Sequence, residues 1–160
     1  MTATRPPQPA FTLRQAVLAD LEAVAPLFDL YRQFYRQPAD LAAARAFLRQ
    51  RFAHGQSVIF LAEQDGTALG FTQLYPTFLS ISLAQELVLY DLFVAEAGRQ
   101  RGIGKALLDA AVAYGKAIGA ASLSLTTAHT NTQAQALYHA SGWQPEEVYR
   151  QFNMPLDPAN

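Results

Sequence analysis

From Leu92 to Lys105 the chain reads Leu-Phe-Val-Ala-Glu-Ala-Gly-Arg-Gln-Arg-Gly-Ile-Gly-Lys, and Ala-Leu-Leu follows at once. An apolar strand ends, a basic turn bearing glycines follows, and an amphipathic helix begins. The start of a helix leaves its first amides without intrahelical acceptors and carries the positive end of the helix dipole. A turn of this kind is suited to holding a phosphate. Gly102 and Gly104 let the backbone approach a diphosphate with no Cβ in the way. The N–H groups of Gln100, Arg101, Gly102, Ile103, Gly104 and Lys105 can form a nest for its oxygens. Arg99, Arg101 and Lys105 supply positive charge, although each taken singly is equally a solvated surface residue.

Two familiar phosphate loops do not fit this turn. A Walker loop needs glycine at position 99 and serine or threonine at 106, where the chain has Arg99 and Ala106. A dinucleotide fingerprint needs a third glycine at 107, where Leu107 stands. A Gly-x-Gly alone is equally a tight connection. The pattern Arg99-x-x-Gly102-x-Gly104 after Phe-Val does resemble the acetyl-CoA signature of the GNAT superfamily of N-acetyltransferases. Asn131-x-x-Ala134-x-x-Leu137-Tyr138-x-x-x-Gly142-Trp143 resembles that family's second motif at the expected separation. The resemblance runs from about Phe11 to Leu156. The stretches Gly70–Tyr75 and Tyr90–Val94 look closest to the branch of histone- and polyamine-type amine acetyltransferases.

The resemblance implies an acetyl-CoA cosubstrate and no metal. It implies that pantetheine pairs with the backbone of Leu92, Phe93 and Val94 like an added strand, one N–H polarising the thioester carbonyl. The side chains of those residues are ordinary strand core in either case. Asn131 matches a helix-start residue that contacts the cofactor or its neighbouring loop, and it is equally a plain N-cap. Tyr138 matches the general acid that protonates the departing thiolate; by spacing alone it is a core tyrosine beside Ala134 and Leu137. A phenol near pKa 10 is a weaker acid than a thiol near about 8.5, so that proton transfer is uphill by about 2 kcal/mol.

The acceptor implied is an amine of a small molecule, peptide or protein. An amine of pKa about 10.4 is neutral in only about one molecule per few thousand at pH 7, so a base must deprotonate it. Related amine acetyltransferases carry a strand glutamate where this chain has Tyr90. Asp91 faces away from Tyr90 in a regular strand, unless a bulge swaps the faces. Glu86 shares the parity of Tyr90 and could act through water. Asp91, Glu86 and a water relay remain open, with structural roles for both acids. The pocket walls expected from the resemblance are Asp29, Tyr31, Arg32, Phe34, Tyr35, Tyr75 and Phe78, aromatic faces that suit a cation. An acyl-CoA-binding sensor without turnover is the alternative that the missing glutamate favours. A toxin acting on RNA-linked amines would want a basic surface.

Composition narrows the classes further. The chain has 160 residues, 51% hydrophobic, which fits one domain with a real core. A formal net charge of -1 gives no general attraction to nucleic acid or an anionic membrane. Absent cysteines exclude disulfides and thiolate chemistry, and His54, His129 and His139 lack metal-ligand spacing. Met1–Ala10 reads as a loose proline-rich arm, neither signal peptide nor membrane span, before a single domain over 11–156. A cytoplasmic location is expected.

The elements that must position these residues follow from periodicity and caps. Strands are predicted over Phe11–Ala16, Ser57–Glu63, Thr67–Tyr75 (ended by Pro76), Glu86–Val94 and Ser122–Thr126. Trp143–Met154 is predicted to finish the sheet as one bent or two short strands, with Val148–Met154 available to pair across a homodimer. Helices are predicted after Asp20, with Pro26 kinking it or shifting its start, and after Asp40. Two more are predicted from Ile103 to Gly119 and from Asn131 to Gly142. The helix at 103 has an apolar stripe of Ile103, Leu107, Ala110, Tyr114 and Ile118. The order β-α-α-β-β-β-α-β-α-β predicts an α/β fold, α+β in some schemes: a mixed, mostly antiparallel sheet with helices on both faces.

Overall fold

A computed structural model describes residues 11–156, so the proline-rich arm lies outside the described residues. The elements are β1 (Thr12–Gln15), α1 (Leu21–Phe34), α2 (Leu41–Ala53), β2 (Val58–Gln64), β3 (Thr67–Leu79), β4 (Ala84–Val94), α3 (Ile103–Ala117), β5 (Ser122–Leu125) and α4 (Thr132–Ala140). The strands form one sheet in sequence order. The first four pair antiparallel and β5 joins β4 in parallel through the α3 crossover. Asp65 and Gly66, both at positive φ, make the tight β2–β3 turn.

Alternation along the strands builds two cores. Ile59, Leu61 and Phe71 face α1 and α2, meeting Val24, Phe28, Ala44 and Leu48. Leu74, Leu87 and Leu89 face the other way, onto Leu108 and Ala111 of α3. Ala62 and Leu69 meet Ile103 and Leu107. Phe71 is fully buried in a central strand, edge-on to Phe28 and Tyr31. Phe71→Ala is expected to destabilise the fold by about 3–5 kcal/mol, measured by urea unfolding.

Several boundaries differ from the sequence reading. Pro76 does not end β3: pairing with β2 stops at Leu74, and beyond it β3 has only β4 beside it. A residue without an N–H is tolerated on such an edge. The α1 helix begins at Leu21 and runs through Pro26. Asp20 does not cap it; its carboxylate accepts from the Val17 amide at 2.8 Å and from Arg14, closing the preceding 3-10 turn. The buried stripe of α3 is Ile103, Leu107, Leu108, Ala111 and Gly115, whereas Ile118 is exposed. The expected closing strand over Trp143–Met154 is not formed: residues 143–156 pair with no strand, and Val148, Phe152 and Met154 are exposed. The described chain therefore has five strands, with β5 at the sheet edge.

Candidate active site

Two features of β4 build the site. Pairing with β5 ends at Leu89–Leu125. From Asp91 to Val94, β4 keeps β3 on one side and, among the described residues, has no strand on the other, so its outward amides and carbonyls have no ladder partner there. The residues Leu92, Phe93 and Val94 lie in that open stretch. The second feature is a bulge: Gln73 pairs with Asp91 and Leu74 with Leu89, leaving Tyr90 as the extra residue. A bulge resets the alternation of faces. Leu87, Leu89, Leu92 and Val94 consequently meet the α3 side, while Val88, Tyr90 and Asp91 line a cavity with Phe28 and Phe47 from α1 and α2. Asp91 and Tyr90 share a face, contrary to a regular strand.

The basic turn sits at the end of the same strand. Gly102 precedes α3 with φ 78°, a left-handed conformation that favours glycine, and a Cβ added there would meet nothing within 4 Å. Gln100 is also at positive φ. The first helical amide bonded to a backbone carbonyl is that of Ala106, to Gly102, at 3.0 Å. The amides of Gly102, Ile103, Gly104 and Lys105 make no such bond among the described residues. Gly104 serves close packing instead, since a Cβ there would come within 3.2 Å of Leu137 on α4. This is a run of donors with open space beside Gly102, able to hold an anion.

The three cations of the turn differ in placement. The Arg99 Nε donates to the Val94 carbonyl at 3.3 Å, and Arg101 Nη2 donates to Gln64 Oε1 at 2.6 Å. Lys105 pairs with Asp109 one helical turn on, at 2.6 Å. Asn131 caps α4, its side chain accepting from the Ala134 amide at 3.2 Å.

Tyr138 is half-buried on α4 against Trp143, with its ring beside the Leu74–Leu89 core. Burial pushes its phenol pKa up, and the nearby Tyr35 phenol adds to the shift. Its hydroxyl therefore holds its proton at neutral pH.

Asp91 lies at the junction of two adjoining cavities, of about 540 and 460 Å³. Tyr75, Val88 and Tyr90 line the first, and Tyr31, Arg32 and Tyr35 the second; Phe28, Phe47 and Asp91 belong to both. Burial pushes the Asp91 carboxyl up to about 6, opposed by hydrogen bonds from Gln73 and Tyr31 that favour the charged form. Gln73, itself fully buried, donates from Nε2 to Asp91 Oδ2 at 2.6 Å and accepts from the Ser57 hydroxyl at 2.7 Å. The single proton of the Tyr31 hydroxyl is shared with the Tyr90 carbonyl, which lies 3.0 Å away. A carboxylate so held is charged at pH 7 and able to take a proton.

Glu86 lies elsewhere, accepting from the Ser122 hydroxyl at 3.0 Å and lining a third cavity at the β5 edge with Tyr138 and Trp143. Of the expected pocket walls, Tyr31, Arg32, Tyr35 and Tyr75 do line the cavities around Asp91. Phe34 and Phe78 are exposed, and Asp29 is buried in bonds to Arg32, Gln33 and the Asp40 amide. Phe28 and Phe47 were not legible as walls, because their spacing marks them only as helix core. Among the described residues no group of acidic, histidine or cysteine side chains is placed to hold a metal, and no helix is long and apolar enough to cross a membrane.

Residues 24–143 match the acetyltransferase (GNAT) family. An N-acetyltransferase of Bacillus subtilis, uncharacterized and named YhfO, is 46% identical over 145 residues, 89% of this chain and 97% of that protein. An aminoglycoside N(6')-acetyltransferase type 1 of Stenotrophomonas maltophilia is 30% identical, covering 92% of this chain and 95% of its own. The crystal structure of a probable acetyltransferase superposes with a TM-score of 0.87 at 33% identity, covering 92% of this chain and 99% of that one. The chain belongs to the GNAT family and is an acyl-CoA-dependent N-acetyltransferase. The matches do not single out the histone- and polyamine-type branch.

Proposed function

We propose that the protein transfers the acetyl group of acetyl-CoA to the primary amine of a small molecule or peptide. One observation carries this reading above the rest. The open stretch of β4 joins a turn with unbonded amides at one end to a buried, proton-accepting carboxylate at the other.

Gly102, Ile103, Gly104 and Lys105 offer amides to the diphosphate, with Arg99 and Gln100 beside them. Arg101 steadies the turn through Gln64. Asn131 orders the start of α4 and, through it, Tyr138. Leu92, Phe93 and Val94 offer the backbone edge along which pantetheine lies. The cosubstrate supplies an acyl carbon activated as a thioester. Asp91 takes a proton from the bound ammonium, leaving the nitrogen lone pair free to bond to that carbon. As the carbon–sulfur bond breaks, Tyr138 donates its proton to the sulfur. The nitrogen's second proton leaves to water, and Tyr138 is reprotonated. The raised phenol pKa makes the donation more uphill than for an exposed tyrosine, while keeping Tyr138 fully protonated beforehand. A binding-only sensor has no use for a buried carboxylate among aromatic walls, and the bulge that turns Asp91 inward offsets the missing glutamate at position 90.

Thiol release with acetyl-CoA and a panel of amines tests the reading. A melting shift on adding acetyl-CoA, absent with NAD or ATP, tests the cosubstrate alone. Tyr138→Phe is expected to lower kcat at least about tenfold and to leave acetyl-CoA affinity intact. Unchanged turnover in that variant would remove Tyr138 from the chemistry.

A further inference from the structure

A second charge stands behind the walls of the cavities around Asp91. Arg51, on the last turn of α2, lays its guanidinium over the Phe47 ring, 4.3 Å from the centroid. Phe47 is a wall of both cavities. Tyr75, a wall of the first, is near enough to Arg51 to feel its charge. The Arg51 Nε is buried and finds no acceptor among the described residues, and the bond from Nη2 to the neighbouring Gln50 side chain, at 3.1 Å, is to a neutral amide. Among the described residues no carboxylate pairs with Arg51 and no cation pairs with Asp91. Arg32, the cation that lines the second cavity, is already matched by Asp29 at 2.8 Å.

A buried carboxylate at Asp91 and a partly buried guanidinium at Arg51, neither matched by an opposite charge among the described residues, are each costly without one. One ligand bearing an ammonium and an anion separated by a short apolar body neutralises both. A guanidinium presents a planar donor fork that matches a carboxylate. We infer that the acceptor is a small amino acid, its amine held at Asp91 and its carboxylate at Arg51. This rests on the acetyl-transfer reading above. It also disfavours a polycation, which Arg51 repels and to which the described residues lining the cavities offer Asp91 as the acid without a cation partner.

The test compares paired acceptors on the wild-type protein: glycine with methylamine, γ-aminobutyrate with propylamine, and phenylalanine with phenethylamine. Thiol release from acetyl-CoA is measured at one pH, with rates corrected for each amine's neutral fraction. At least one amino acid is expected to exceed its decarboxylated partner in kcat/KM by about tenfold or more, since one charged hydrogen-bonded contact is worth about that factor. Arg51→Gln, and Arg51→Met as a variant that keeps the packing on Phe47, are expected to collapse that ratio towards unity, mainly through KM. Plain amines that equal or exceed their amino acids throughout would overturn the inference and leave acetyl transfer standing. A preference that survives in both Arg51 variants would also overturn it. Turnover of neither series, with acetyl-CoA bound, would count against the acetyl-transfer reading itself and this inference with it.

Discussion

Gly102→Glu is expected to weaken coenzyme A binding by about a hundredfold or more, equivalent to about 2.7 kcal/mol, measured by isothermal titration calorimetry. The position has room for a side chain, since nothing lies within 4 Å of a Cβ built there. The variant is therefore expected to fail through occupancy and charge rather than collapse: a carboxylate stands beside the helix dipole and the four amides without backbone acceptors that are proposed to hold the diphosphate. Holding a non-glycine residue at φ 78° costs about 1–2 kcal/mol. That lowers the melting temperature by a few degrees and leaves the protein folded. Gly102→Ala bears the same backbone strain without the charge, so it separates the two effects and is expected to retain most of the affinity. Unaltered affinity in Gly102→Glu would place the diphosphate elsewhere.

Asp91→Asn is expected to lower kcat/KM for an amine acceptor by about 10²–10⁴, the usual contribution of a positioned general base. The pH profile distinguishes this from a packing effect. The Asp91 carboxyl is pushed up to about 6 by burial. Below that pH it is protonated and cannot accept the ammonium proton, so wild-type kcat/KM rises with pH through about 6. In Asp91→Asn that rising limb disappears. Gln73→Leu removes the hydrogen bond that favours the charged form and is expected to move the limb to higher pH, which a merely structural glutamine would not do. Stability moves in the opposite sense to activity. A carboxyl whose folded pKa exceeds its unfolded one is most favourable when protonated, and its contribution is lost as pH rises through the folded pKa. Asp91→Asn is therefore expected to hold or gain stability at pH 7.5 by thermal unfolding. A stable variant with undiminished turnover would exclude Asp91 as the base.

Local sequence determined most of the frame. Strand alternation, helix periodicity and caps depend on near neighbours, so β2, β4, α3 and α4 fall within a residue or two of their expected ends. The cap at Asn131 and the left-handed Gly102 also follow from residue type. The turn Arg99–Lys105 was legible because strand, glycines and helix start are contiguous.

What spacing could not decide depends on partners distant in the chain. Pro76 stays in β3 because β2 has already stopped beside it. The strand expected over Trp143–Met154 is alternating and apolar, yet a strand exists only where another strand bonds to it, and none does. Asp91 became the candidate base through a single extra residue, Tyr90, accommodated between β3 and β4. That register turns on how two strands some eighteen residues apart align, and a shift of one residue exchanges the faces of every side chain beyond it. Phe47 and Arg51 come from α2, Tyr75 from β3 and Asp91 from β4, and only tertiary packing brings the three elements together. The sequence by itself determined where a phosphate-bearing cosubstrate could be gripped, since that grip is built from contiguous backbone. The tertiary structure alone decided which acid lines the aromatic cavities and which cation stands behind their walls, since side chains distant in sequence meet only when the sheet and its helices close.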